Sequence, residues 1–163
     1  MSGGEGAPPQ REVASIERAG AHPTSADGHG STHRTLRPAG WPRGSGYADG
    51  ILAGGRILVT AGQIGWDAVT HEFVSDTLAD QVRQALGNVL AVLREGGAGP
   101  EHLVRLTWYL TDRAEYLAQQ GEIGRAYRET VGRHFPAMAI VIVAGLVEVR
   151  AKVEIEAMAV VPP

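Results

Sequence analysis

Cysteine is absent from all 163 residues. That excludes disulfides, zinc–thiolate sites, iron–sulfur clusters and a cysteine nucleophile. Long apolar runs are absent too: no stretch approaches the ~20 residues a membrane helix needs. The N-terminus lacks the apolar core of a secretory signal, so the expectation is a soluble cytoplasmic protein with no membrane partner. Positive charge is not in excess. Fifteen Lys and Arg face eighteen Asp and Glu, a net charge of -3, which argues against nucleic acid as a partner held by bulk electrostatics. None of the six histidines (His22, His29, His33, His71, His102 and His134) stands in HExxH or another metal-ligand spacing, so no metal is expected. There is no GxSxG elbow, phosphate loop or GxGxxG turn, so serine-hydrolase and nucleotide chemistry find no support and no cofactor is expected.

What remains is an ordinary globular composition, 44% hydrophobic and 20% charged, long enough for one domain with a real core. Residues 1–33 are rich in Gly, Pro, Ser and Ala and carry few large aliphatics. They read as a disordered tail, with one helical turn near Glu12 to Arg18, because such a segment cannot offset its ordering entropy. The domain spans 34–163. Ile51–Leu52 and Arg56–Ala61 read as strands joined in a hairpin by Gly54-Gly55. The second strand leads through Gln63-Ile64 into a loop at Trp66. Asp76 to Glu95 reads as a helix, with Leu78, Val82, Ala85, Leu86, Val89 and Leu93 on its apolar side and Gln81, Arg83, Gln84, Asn88 and Arg94 on the other. Gly96-Gly97 ends it. A strand follows over His102–Thr111, then a second helix over Arg113–Gly132 with Tyr116, Ile123, Tyr127 and Val131 as its buried stripe.

Pro136–Leu146 and Arg150–Val161 read as the closing strands. In the first, Met138, Ile140 and Ile142 alternate with Ala139, Val141 and Val143, so both faces are apolar. In the last, Val153, Ile155, Ala157 and Ala159 oppose Lys152, Glu154, Glu156 and Met158. The order predicts an α+β domain with two helices on one face of a mixed sheet. The other face, assigned Met138, Ile140 and Ile142, then needs a cover that a single domain cannot give, and self-association supplies one. Glu154 and Glu156 share a face about 6.5–7 Å apart, where one carboxylate could act as a general base or acid. An ion pair with Lys152, Arg105 or Arg150 is the alternative. Trp41, Tyr47, Gln63, Trp66 and Trp108 form a polar and aromatic set that suits either packing or a ligand.

Several segments together resemble the RidA/YjgF family. They are Gly46-Tyr47; Ile57 to Ile64, ending in Ala-Gly-Gln-Ile; Gln81 to Leu93; Arg105 to Asp112; Pro136-Ala137; and Val153 to Val160. The resemblance implies a chorismate-mutase-like fold and a homotrimer with a central barrel, helices outside and a cleft between each pair of subunits. It implies hydrolysis of a reactive imine or enamine small molecule, such as 2-iminopropanoate, to a ketoacid and ammonia. In that family the glutamate of the closing strand positions water, and the loop tyrosine and the glycine of the Gly-Gln motif line the cleft. Glu154, Tyr47 and Gly62 match them, with Gln63 beside Gly62. The family's carboxylate-holding arginine follows Pro-Ala, and here Met138 stands there. A thioether cannot replace a guanidinium clamp, so another arginine, Arg105 or Arg150, or another ligand, is required. Ile140 likewise replaces a small or polar residue. With Trp66, Trp108 and Met138, the cleft suits a larger, less polar ligand. The backbone N–H groups near Gly62 and Ala139 would bind its oxygen. The competing readings are a non-catalytic ligand-binding or partner-stabilising trimer, and an RNA-cleaving translation inhibitor, which the acidic balance disfavours.

Overall fold

The computed structural model describes residues 33–163, so the tail reading lies outside the described residues except at His33. The elements are β1 (Arg34–Leu36), β2 (Gly50–Leu52), β3 (Arg56–Val59), β4 (Gln63–Ile64), α1 (Leu78–Glu95), β5 (Leu103–Leu110), α2 (Arg113–Ala118), α3 (Gln120–Thr130), β6 (Ala137–Ile142) and β7 (Val153–Val161). The main sheet runs β3-β7-β5-β6, with β4 also on β7. All pairings in it are antiparallel except β5 with β6. A mixed sheet with helices on one side is the predicted α+β class.

Local chemistry sets the helix ends. Thr77 caps α1, its side chain accepting from Asp80 N. Thr77 Oγ1 also donates to the Asp80 carboxylate at 2.8 Å. Asp112 caps α2 by accepting from the backbone N–H groups of Ala114 and Glu115. The core lies between the helices and one sheet face. Val82, Ala85, Leu86 and Leu93 of α1 pack there with Leu106, Trp108 and Leu110 of β5 and Val153, Ile155 and Ala159 of β7.

Several expectations are corrected. Gly54-Gly55 does not join a hairpin: β2 pairs with β1 in a separate two-stranded sheet, and β3 pairs with β7. The second helix is broken at Gln119, whose side-chain oxygen accepts from Ala79 N at the start of α1. The strand after Pro136 ends at Ile142. Gln81 and Asn88 are buried, not on the solvent side. Gln81 donates to the carbonyls of Ser75 and Arg150 and accepts from Lys152 N, tying the segment before α1 to the segment before β7. Asn88 donates to the carbonyls of Ile64 and Trp66.

The faces of β6 are also reversed from the expectation. Met138, Ile140 and Ile142 stand in register with Leu106, Trp108 and Leu110, which are buried beneath the helices. They therefore share the helix side. Ala139 and Val141, opposite Thr107 and Tyr109, face away. The open face instead carries exposed Ile57 and Val59 on β3, Val141 on β6, and the polar group Arg105, Tyr109, Glu154 and Glu156.

Candidate functional site

The residues expected to form one site fall in two places on the chain. The first is a cleft of about 700 Å³ on the helix side of β6. Its walls include Tyr47, Trp108, Tyr116, Ile123, Met138 and Ile140. The Tyr47 loop is fixed to the sheet by the neighbouring Ala48, which bridges to Ala137 and donates its N–H to Pro136 O at 3.0 Å. Trp108 lies beneath, only 1% exposed and tilted against Tyr127 at 6.4 Å between centroids. Its Nε1 is the buried side-chain donor that has no hydrogen-bond partner among the described residues. Tyr127 donates to His134 O, and burial raises its phenol pKa well above the usual value. This part of the wall is thus a neutral aromatic one.

The second place is the open face at the β4–β7 junction. Residue 154 lies between Val153 and Ile155, both buried toward the helices, so Glu154 points the other way. It stands opposite Tyr109 across the β5–β7 pair. Its carboxylate lies over Gly62: a Cβ at position 62 would overlap the Glu154 side chain. Only glycine admits the carboxylate at this spot. The Glu154 carboxylate has no hydrogen bond or ion pair among the described residues. Lys152, expected beside it, turns instead to Glu115 at 2.7 Å. Glu156 accepts from Tyr109 Oη at 3.1 Å. That bond, then burial and the charges of Glu156 and Glu154, raise the Tyr109 pKa, so the phenol keeps its proton as a donor. Gln63 sits next to Gly62, its side-chain amide donating to Ala61 O. Ala139 lies on the same open face, opposite Thr107.

Trp66 is brought to neither place. Its ring stacks on His71 at 4.6 Å and lies beside Phe73, in a loop pinned by Asp67. Neither Arg105 nor Arg150, the arginines considered in place of Met138, lines the cleft. Arg150 pairs with Asp76 and lies over the Phe73 ring. Arg105 is on the open face, donating to Thr107 Oγ1. What the sequence reading missed is Arg128 on α3, which lines the Tyr47 cleft. A glycine one turn earlier, Gly124, was the available signal. Among the described residues, no group of three or more His, Asp or Glu could hold a metal, and no helix is long and apolar enough to cross a membrane.

Within one chain the sheet separates the two places. Glu154 faces one side; Met138 and Ile140 face the other.

Comparison with known proteins identifies the family. Residues 42–161 match the family described as Endoribonuclease L-PSP. A RutC family protein of Pasteurella multocida is 36% identical over 106 residues, 65% of this chain and 81% of that one. The human 2-iminobutanoate/2-iminopropanoate deaminase is 30% identical over 117 residues, 72% of this chain and 81% of that one. Among solved structures, a protein of unknown function of the conserved Rid family, YyfB from Yersinia pestis, superposes with a TM-score of 0.71 at 29% identity, covering 79% of this chain and 98% of that one. E. coli TdcF with bound serine gives 0.57 at 30% identity, covering 73% and 91%. The fold, the ordered motifs and these similarities agree: the chain belongs to the Rid (RidA/YjgF/L-PSP) family.

Proposed function

We propose that this protein hydrolyses a reactive imine or enamine, and that it does so as a homotrimer in clefts made between neighbouring copies. The observation that carries the reading is Glu154: a carboxylate held over Gly62 with no ion-pair partner among the described residues. Such a group is available to hold and deprotonate water. The balanced steps are simple. Water adds to the imine carbon as Glu154 takes its proton, and the proton passes to nitrogen. The adduct's hydroxyl then gives its proton to Glu154, which passes it to the amine nitrogen; the C–N bond breaks as the C=O bond forms, and ammonia leaves with a carbonyl product. Tyr109, kept protonated beside Glu156, is a donor near the same carboxylates. The two-sided placement of Glu154 and the Tyr47 cleft supports an assembly in which one copy offers the carboxylate and the next offers the cleft. The exposed apolar residues of the open face, Ile57, Val59 and Val141, support burial of that face against other copies. The relatives that are imine deaminases support the reaction class. RNA cleavage is disfavoured because Glu154 and Glu156 make this face acidic where a polyanion would need cations.

The test is imine loss measured with a semicarbazide trap, the 2-imino acid being generated in situ by an amino-acid oxidase. Wild type accelerates the loss, and Glu154→Gln keeps the fold and lowers the rate by roughly 10²–10⁴. Unchanged turnover in Glu154→Gln would remove that role. A second reading, a ligand-binding trimer without turnover, is favoured by Met138, which stands where the family resemblance implies an arginine. Ligand binding with no acceleration by wild type or by Met138→Arg would establish it.

A further inference from the structure

We infer that Arg128 anchors the carboxylate of an aryl or alkyl acid in the Tyr47 cleft, taking over from α3 the task that Met138 cannot perform. The proposal rests on the reading that this cleft holds the ligand, and it adds the ligand class.

Gly124 and Arg128 are i and i+4 on α3, so they share a helix face. A glycine inside a helix is disfavoured relative to alanine, and here its bare surface is used. A Cβ at position 124 would lie 3.3 Å from Arg128 Nη1, so the guanidinium folds back over Gly124. Both residues line the cleft. Arg128 forms no ion pair among the described residues, whereas Arg37 nearby is neutralised by Asp49 at 3.3 Å. Arg128 also borders the adjoining hollow of about 650 Å³, where Arg133 is a further cation without a carboxylate partner among the described residues. Among the described residues, Arg128 and Arg133 thus stand without ion-pair partners at one mouth, in a hollow that Glu101 also lines.

The rest of the cleft selects the ligand's body. Ile123, Phe135, Met138 and Ile140 offer apolar surface, and Tyr47 and Tyr116 offer rings with polar tips. A guanidinium at the rim and a mostly apolar trough suit an anion with a hydrophobic tail, the planar fork engaging both carboxylate oxygens. A small polar acid would leave most of the trough unfilled.

The experiment is calorimetric titration of the full-length protein with 3-phenylpropanoate, 3-phenylpropanamide and acetate. Wild type binds 3-phenylpropanoate about tenfold or more tighter than the neutral amide, as a charge-assisted pair predicts, and tighter than acetate. Arg128→Gln reduces the acid-over-amide preference to about twofold or less, weakening acid binding far more than amide binding. Arg128→Lys restores part of it, since charge survives but the fork does not. Arg125→Gln, which removes the same charge from the same helix away from the cleft, leaves the preference intact. Equal loss in Arg125→Gln and Arg128→Gln, an unaltered preference in Arg128→Gln, or no binding of the acid by wild type would each overturn the inference. The two readings also fail separately. Arg128-dependent binding without imine turnover leaves the anchor standing and removes the hydrolase. Turnover of acidic imines that is insensitive to Arg128→Gln does the reverse.

Discussion

At the scale of single residues, the site is built from the absence of side chains as much as from their presence. Gly62 admits the Glu154 carboxylate. In Gly62→Ala the carboxylate must swing aside, so the proposed hydrolysis should fall by about 100-fold, while stability should change by no more than ~1 kcal/mol because the Glu side chain is free to move. A thermal melt beside the trap assay separates the two effects; a large drop in melting temperature with normal turnover per folded molecule would contradict this account. Asp80 gives a pH signature. Hydrogen bonds from Thr77, then Ser75, and then Arg83 hold its carboxyl below the ordinary value of 3.8. A depressed folded-state pKa adds stability above the unfolded pKa, and that stability is lost as pH falls through the folded value. Asp80→Asn should therefore be less stable than wild type at pH 7, and the gap should close below about pH 3.8. Denaturant midpoints across that range are the check.

At the scale of elements, α1 is tied to the loops by buried amides. Gln81 meets three backbone groups and is fully buried. Gln81→Leu keeps the volume roughly and strands all three, so it should cost about 3 kcal/mol or more. A loss under about 1 kcal/mol in urea unfolding would show that water replaces the amide. This is also where the sequence was least readable. An amphipathic pattern ranks residues by polarity, so a glutamine that satisfies buried backbone looks the same as one in solvent. The faces of β6 were unreadable for a related reason: with apolar residues at every position, alternation has no parity, and only the register with Leu106 and Trp108 fixes it. Gly54-Gly55 suggested a hairpin from local turn chemistry, but β3 finds its partner in β7, about a hundred residues away. By contrast, α1, β5 and β7 were legible because their alternation or helical period is strong and one face is polar. Glu154 and Tyr47 enter as candidates through ordered motifs; Arg128 does not, since a lone arginine on an amphipathic helix looks like a solvated face.

At the scale of the whole molecule, the sheet keeps the Glu154 side and the Tyr47 cleft apart, so the site proposed above requires more than one copy. The open face, with Ile57 69% and Val59 63% exposed, is the surface that assembly would cover. Sedimentation equilibrium should give three times the 17.2 kDa chain mass, and Val59→Asp, which adds a charge to that face, should shift the protein toward monomer. The most direct test of a shared site is complementation. Glu154→Gln and Tyr47→Ala are each purified, mixed in equal amounts, dissociated and reassembled, and imine hydrolysis is measured. If neighbouring copies supply the two halves, the mixture recovers about a quarter of the wild-type rate through random assortment around the ring, far above either variant alone. A mixture no more active than its inactive parents, with trimers shown to have exchanged subunits, would contradict the account.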